Sequence, residues 1–183
     1  MIQQLDRYRT PPDWHPGAST LVQTAWFCLG SPLLAARWLP GFGWRARLLR
    51  LFGARIGSGC RIKPGLRVKF PWRLVVGHAC WLAEDCWIDN LAPVTLADRV
   101  CLSQAAYLCT GNHDFRSPGF DLRLGPITIG SDAWIAARAV LGPGSQIGAG
   151  AVVALGAVVS GSVPPGAIVR GNPAVVVGQR CSI

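Results

Sequence analysis

Ile56-Gly57-Ser58-Gly59-Cys60-Arg61 is the stretch that decides the fold, because the chain repeats it from there onward. An aliphatic residue recurs at Ile62, Val68, Val76, Leu82, Ile88, Leu96, Leu102 and Leu108, and after an interruption at Ile129, Ile135, Leu141, Ile147, Val153 and Val159. Four places after the aliphatic the residue is mostly small, as at Cys60, Cys80, Cys86, Ala106, Ala133, Ala139, Ser145, Ala151 and Ala157. Gly57, Gly77, Gly130, Gly142 and Gly148 follow their aliphatic directly. A period of six is neither that of a helix nor that of an alternating strand. It marks a parallel β-helix, in which each hexad forms one short strand and a corner. The small column faces inward beside the aliphatic one, since a narrow prism has no room for two large side chains per unit. Glycine and small polar residues suit the corners, where φ > 0 is often needed. No hexad buries its apolar face alone, so stacking makes the core.

On the N-terminal side of the repeat, Pro11, Pro12 and Pro16 keep residues 1–19 from forming a long helix. They read as an irregular arm. Residues 20–52 read as two short helices broken at Pro40-Gly41, a cap over the open end of the solenoid. The second, Trp44 to Phe52, sets Leu48, Leu49, Leu51 and Phe52 among Arg45, Arg47 and Arg50. Such a basic amphipathic pattern also suits an anionic membrane surface. The expected division is therefore arm and cap over 1–52, β-helix over 53–171, and a tail over 172–183. A length of 183 residues fits one main domain with an appendage.

The net charge of +9 is concentrated. No acidic residue lies between Trp14 and Ala83, while Arg37, Arg45, Arg47, Arg50, Arg55, Arg61, Lys63, Arg67, Lys69 and Arg73 all do. Such a block attracts phosphates, acidic lipid headgroups or acidic saccharides. Nucleic acid is excluded as a partner because no recognised binding module accompanies the charge. The seven cysteines form no CxxC pair and no Cys/His metal spacing. Three of them fall in the small inward column, so free thiols in a reducing cytoplasm are expected, with no metal. The N-terminus lacks the layout of a signal peptide. Gln23, Pro32 and Arg37 interrupt the apolar run from Leu21 to Leu39, so no spanning helix is expected.

Within the repeat, Pro71-Trp72 and Val94-Thr95 read as corner insertions. Trp81, Trp87 and Tyr107 take the sixth position of their hexads and point outward, to be covered by another subunit or to line a ligand cleft. The largest interruption, Asp114 to Pro126, is an extruded loop of the kind that carries function. It follows His113 directly. An imidazole there can take a hydroxyl proton near neutral pH. Cys109 offers a rival nucleophile paired with His113, without an evident third partner. His15 and His78 read as structural.

These hexads, closed by Gly171-Asn172-Pro173-Ala174, resemble the hexapeptide-repeat acyltransferases over roughly residues 50 to 176. Leu51-Phe52-Gly53-Ala54-Arg55-Ile56-Gly57, Phe70-Pro71-Trp72, and Leu102-Ser103-Gln104 leading into Leu108-Cys109-Thr110-Gly111-Asn112-His113-Asp114 are most similar to the colanic-acid acetyltransferase-like subgroup. The resemblance implies an all-β fold, a left-handed parallel β-helix assembled as a homotrimer. It implies acetyl-CoA-dependent O-acetylation of a sugar in an exopolysaccharide or other glycan precursor, with His113 as base. Acetyl-CoA would lie along the C-terminal coils between subunits, against Trp134, Ala136, Ala154, Arg170 and Pro173. Asp89, Asn112 and Asp114 would serve the acceptor, Asp89 standing where galactoside and maltose acetyltransferases carry asparagine. Acyl transfer to an antibiotic or other small molecule, and a non-catalytic scaffold, are the alternatives.

Overall fold

The computed structural model describes residues 4–180. The hexads wind into a left-handed parallel β-helix of about six coils. Its strands form three ladders, here called faces. Face A runs from Arg55–Ile56 to Ser162–Val163, face B from Arg61–Ile62 to Ala167–Gly171, and face C from Arg67–Val68 to Val158–Val159. Coils are numbered from the N-terminal end. Equivalent hexad positions stack without slippage: on face B, Arg61 pairs with Trp81, Trp81 with Cys101, Cys101 with Trp134, and Trp134 with Val152.

The inward columns are those read from the period. Ile62, Leu82, Leu102, Ile135 and Val153 are fully buried, as are Cys80, Cys86, Ala106 and Ala139 of the small column. Each large aliphatic contributes about 1.5–3 kcal/mol by leaving water, repeated coil after coil. Outward columns differ between faces. On face A the column reads Arg55, Val75, Thr95, Thr128, Gln146, Ser162. On face C it reads Arg67, Trp87, Tyr107, Val140, Val158. Face A is thus largely polar, whereas faces B and C present aromatic and aliphatic surface.

At the corners of coils 1, 5 and 6 the positive φ falls to glycine as expected, at Gly59, Gly65, Gly150, Gly156 and Gly166, but not throughout. Left-handed corner positions in coils 2 to 4 are occupied by Ala79, Asp85, Arg99, Ala105, Asp132 and Arg138. The glycine that follows the aliphatic answers to close approach instead. A Cβ on Gly130 would stand 2.5 Å from the backbone nitrogen of Ala149 in the next coil.

The corners joining face C to face A are the irregular ones. In the first coil the C–A corner holds a 3-10 turn, Pro71–Arg73. In the second, fully buried Asn90 accepts from the Phe70 N–H at 2.9 Å and donates to the Phe70 carbonyl at 2.8 Å. In the third, the chain leaves as a hairpin, Gly111–His113 antiparallel to Leu122–Leu124. Thr110 Oγ1, accepting from Ala92 N–H at 2.9 Å, ties this corner to the one below.

The cap comprises α1 (Thr20–Ala25), a π-helical turn (Trp26–Gly30), α2 (Ser31–Ala35) and α3 (Gly43–Leu51). Fully buried Trp26, Leu34 and Leu49 join the β-helix core. Arg45, one of the three arginines of the basic amphipathic pattern in α3, does not face water. It is fully buried, and its guanidinium donates to the carbonyls of Leu34, Ala36, Leu39 and Gly41, groups that the end of α2 and the following loop leave without helical partners. Arg50 is also occupied, by the carbonyls of Ile56 and Gly57 at 3.0 and 2.9 Å.

Two other segments are more ordered than their sequence suggests. Residues 174–179, expected as part of a tail, form a strand antiparallel to Ala167–Gly171. The arm is anchored along the C–A edge: Trp14 Nε1 donates to Leu91 O at 3.2 Å, Trp72 Nε1 to Pro16 O at 2.7 Å, and Arg73 to the carbonyls of His15 and Leu91. The outer arm reaches the extruded loop, where Gln4 N–H donates to Pro118 O at 2.9 Å.

Candidate active site

His113 ends the outgoing strand of the hairpin and is half-buried. Its Nδ1 lies 2.7 Å from the Phe120 carbonyl oxygen. A carbonyl can only accept, so Nδ1 carries the proton and Nε2 holds the lone pair. Phe120 also stacks flat on the imidazole, 4.3 Å between centroids at 6°, and Tyr8 meets it edge-on at 5.7 Å. Both tautomer and ring plane are thereby set. Neither Phe120 nor Tyr8 was singled out in the sequence. The position of Phe120 within the long loop was the one available signal, since the arm carries no periodicity.

The residues flanking His113 brace the loop. Asn112 Oδ1 accepts from the His113 backbone N–H at 2.8 Å. Asp114 accepts from Arg116 N–H at 3.0 Å and pairs with Arg123 at 2.5 Å. The Arg116 amide, followed by the Arg123 guanidinium, holds the Asp114 carboxyl below the usual carboxylate range. Cys109 donates to Gly111 O at 3.1 Å, so its thiol is directed to the backbone and forms no hydrogen bond with His113.

Asp89 ends the face C strand one coil before Cys109, with which it is in register. Its carboxylate meets Lys69 at 3.0 Å and, more weakly, the Tyr107 hydroxyl at 3.5 Å. Burial, then the Cys109 thiol and Asp89, pushes the Tyr107 hydroxyl upward, which keeps it a protonated donor. Asp89, Asn112, His113 and Asp114 therefore share the C–A edge, although Asp89 forms no hydrogen bond with the imidazole.

The expected donor residues stand elsewhere. Trp134 lies on face B, Ala136 and Ala154 at the corners leading from B to C, Arg170 in the last parallel strand of face B and Pro173 just beyond it. They follow one another along the prism axis. Trp134 Nε1 donates to Ser103 Oγ at 2.8 Å across a coil boundary. Trp134, Ala136, Ala154, Ser103, Gln104 and Leu155 line a groove of 320 Å³. Ala136, Ala137 and Ala154 bring only small side chains to its lining. Within one protomer the donor set and His113 lie on the two edges that flank face C, separated by the width of that face.

Residues 126–161 match the family described as bacterial transferase hexapeptide (six repeats). The chain is 37% identical over 181 residues, 98% of each chain, to the colanic acid biosynthesis acetyltransferase WcaF of Escherichia coli (strain K12). It is 27% identical over 139 residues to the galactoside O-acetyltransferase of the same strain, covering 74% of this chain and 68% of that one. Among solved structures, a hexapeptide-repeat acetyltransferase of Vibrio cholerae O1 biovar eltor, complexed with acetyl coenzyme A, superposes with a TM-score of 0.79. The two are 25% identical, over 91% of this chain and 92% of that one.

Proposed function

Since the chain belongs to the hexapeptide-repeat acetyltransferases, in the subgroup of the colanic acid biosynthesis enzyme, we propose that it acetylates a sugar hydroxyl of an exopolysaccharide or other glycan precursor, with His113 as general base. Acetyl-CoA is the donor. The observation that carries the role of His113 is its Nδ1–H donation to Phe120 O at 2.7 Å, because it leaves Nε2 free to accept a proton. In the proposed step Nε2 takes the acceptor's hydroxyl proton as that oxygen adds to the thioester carbonyl. The proton then goes to the departing sulfur, so no acyl-enzyme is needed when both substrates are held together.

A cyclic homotrimer is part of the proposal. The C–A edge with His113 and the B–C edge with the donor residues flank the same apolar face. A heterologous contact repeated around an axis brings one edge of each protomer to the other edge of its neighbour. Face C, with Trp87 and Tyr107 stacked at 4.6 Å, would then be turned inward and leave water. No helix among the described residues is long and apolar enough to cross a membrane. Exposed Leu21, Leu29 and Trp38 on the cap, together with Arg47, support peripheral contact with an anionic membrane surface, where a lipid-linked acceptor would reside.

His113→Ala tests the reading. Thiol release from acetyl-CoA with a sugar acceptor should fall on the order of 10²–10⁴-fold, while coenzyme affinity and oligomer mass stay near those of the unmodified protein. Retained turnover would overturn the assignment.

A further inference from the structure

Face B carries a second cavity, of 370 Å³, walled by Arg61, Lys63, Trp81, Glu84, Gln104 and Trp134. It shares Ser103, Gln104 and Trp134 with the donor groove, so the two form one channel along the prism. The shared residues belong to coils 3 and 4, and the His113 loop leaves the C–A edge between those same coils. If, as proposed above, the donor lies along coils 4 to 6 and His113 is supplied at this level by the adjoining protomer, the N-terminal half of the channel is left for the acceptor.

We infer that this half is an acceptor subsite for a sugar bearing an anionic group, phosphate or carboxylate, about one ring away from the hydroxyl that is acetylated. Trp81 and Trp134 are 50% and 46% exposed and offer flat apolar walls to the C–H face of a pyranose. Gln104 donates to Glu84 at 3.4 Å, and the pair supplies further donors and acceptors for hydroxyls. The far end is cationic. Lys63 sits 3.3 Å from Glu84, which matches one charge. The Arg61 guanidinium lies 4.8 Å over the Trp81 ring and forms no ion pair among the described residues. Stacking holds its plane while its N–H groups remain available for two-point contact with an oxyanion. Lys63, Ala83 and Ser103 occupy one column of successive coils, so two strand spacings, about 10 Å, separate the cations from the reacting level. That is the span of one pyranose ring with one phosphoryl or carboxyl group.

The test compares acceptors of one ring type using the full-length protein and thiol release from acetyl-CoA. The probes are a neutral methyl hexoside, the matching methyl uronoside, and the hexose 1-phosphate. The expected result is a KM at least tenfold lower for one or both anionic probes, and which one it is identifies the anion. Arg61→Gln combined with Lys63→Gln should raise the KM of the preferred anionic probe about 10- to 100-fold, leaving the KM for acetyl-CoA in place. Arg61→Glu should reverse the preference. Equal KM values for neutral and anionic probes, or a preference that survives the double substitution, would overturn the subsite while leaving acetyl transfer to sugars intact. No thiol release with any of the sugars would overturn that wider reading, and this inference with it.

Discussion

Nδ1–H of His113 donates a hydrogen bond to the Phe120 carbonyl, and the ring meets a flat phenyl and an edge-on phenol. The phenol comes from Tyr8, more than a hundred residues away in the chain. Tyr8→Ala should lower kcat about 2- to 10-fold, the worth of one aromatic pair, and Tyr8→Phe should restore it. An equal loss in both variants would show that the hydroxyl matters and the ring contact does not. A different residue governs thiol chemistry. The Cys60 thiol is pulled down to about 6, first by the neighbouring Cys80 thiol and further by Arg50 and His78, against its burial. Its folded value lies below the ordinary 9.0, so the fold favours the thiolate. That stabilising contribution is complete above the ordinary value and is lost as pH falls through about 6. Alkylation of Cys60, followed by peptide mass spectrometry from pH 5 to 9, should rise with a midpoint near 6. A midpoint near 9 would remove Cys80 as the cause.

Among the elements, the arm and the extruded loop act together. The inner arm is fixed by Trp14 and by the Trp72 contact to Pro16, while the outer arm reaches Pro118 and His113. Deleting residues 1–9 should keep the melting temperature within a few degrees and impair turnover, read by calorimetry and thiol release on the same preparation. A large fall in melting temperature would assign the outer arm to stability. Removing residues 1–44 is a harsher change, because it takes away the buried side chains of Trp26 and Leu34. The hexads were legible because every coil obeys the same steric demand, a large side chain and a small one facing inward, so the signal is repeated. The position of His113, though not its role, was legible at the root of the long break in that repeat. The arm was not, since its anchors are indole and guanidinium donors meeting backbone carbonyls, and any carbonyl looks alike in sequence. Arg45 misled for the same reason: a cation among leucines reads as outward until four carbonyls surround it.

For the whole molecule, the contrast between faces matters most. Polar face A suits water, while faces B and C carry Trp81, Trp134, Trp87 and Tyr107 outward. Light scattering should give a particle three times the 19.5 kDa of the chain. Trp87→Glu should drive it toward monomer by placing a charge in the contact on face C, and acetyl transfer should fail together with assembly. A stable, active monomer would require donor groove and base to meet within one chain, against their placement on opposite edges of face C.

A stack of parallel coils has no inherent last member, since its final ladder offers the same unpaired amides and carbonyls as the one before. Another molecule's first coil could extend it, and polymerisation would follow. The strand Ala174–Gln179 returns antiparallel along the end of face B, and the helical cap lies over the opposite opening. The reversed strand occupies the growing end in a direction that a following coil cannot match. On that face it bars a further parallel coil, while the ladders of faces A and C simply end at the short strands Ser162–Val163 and Val158–Val159.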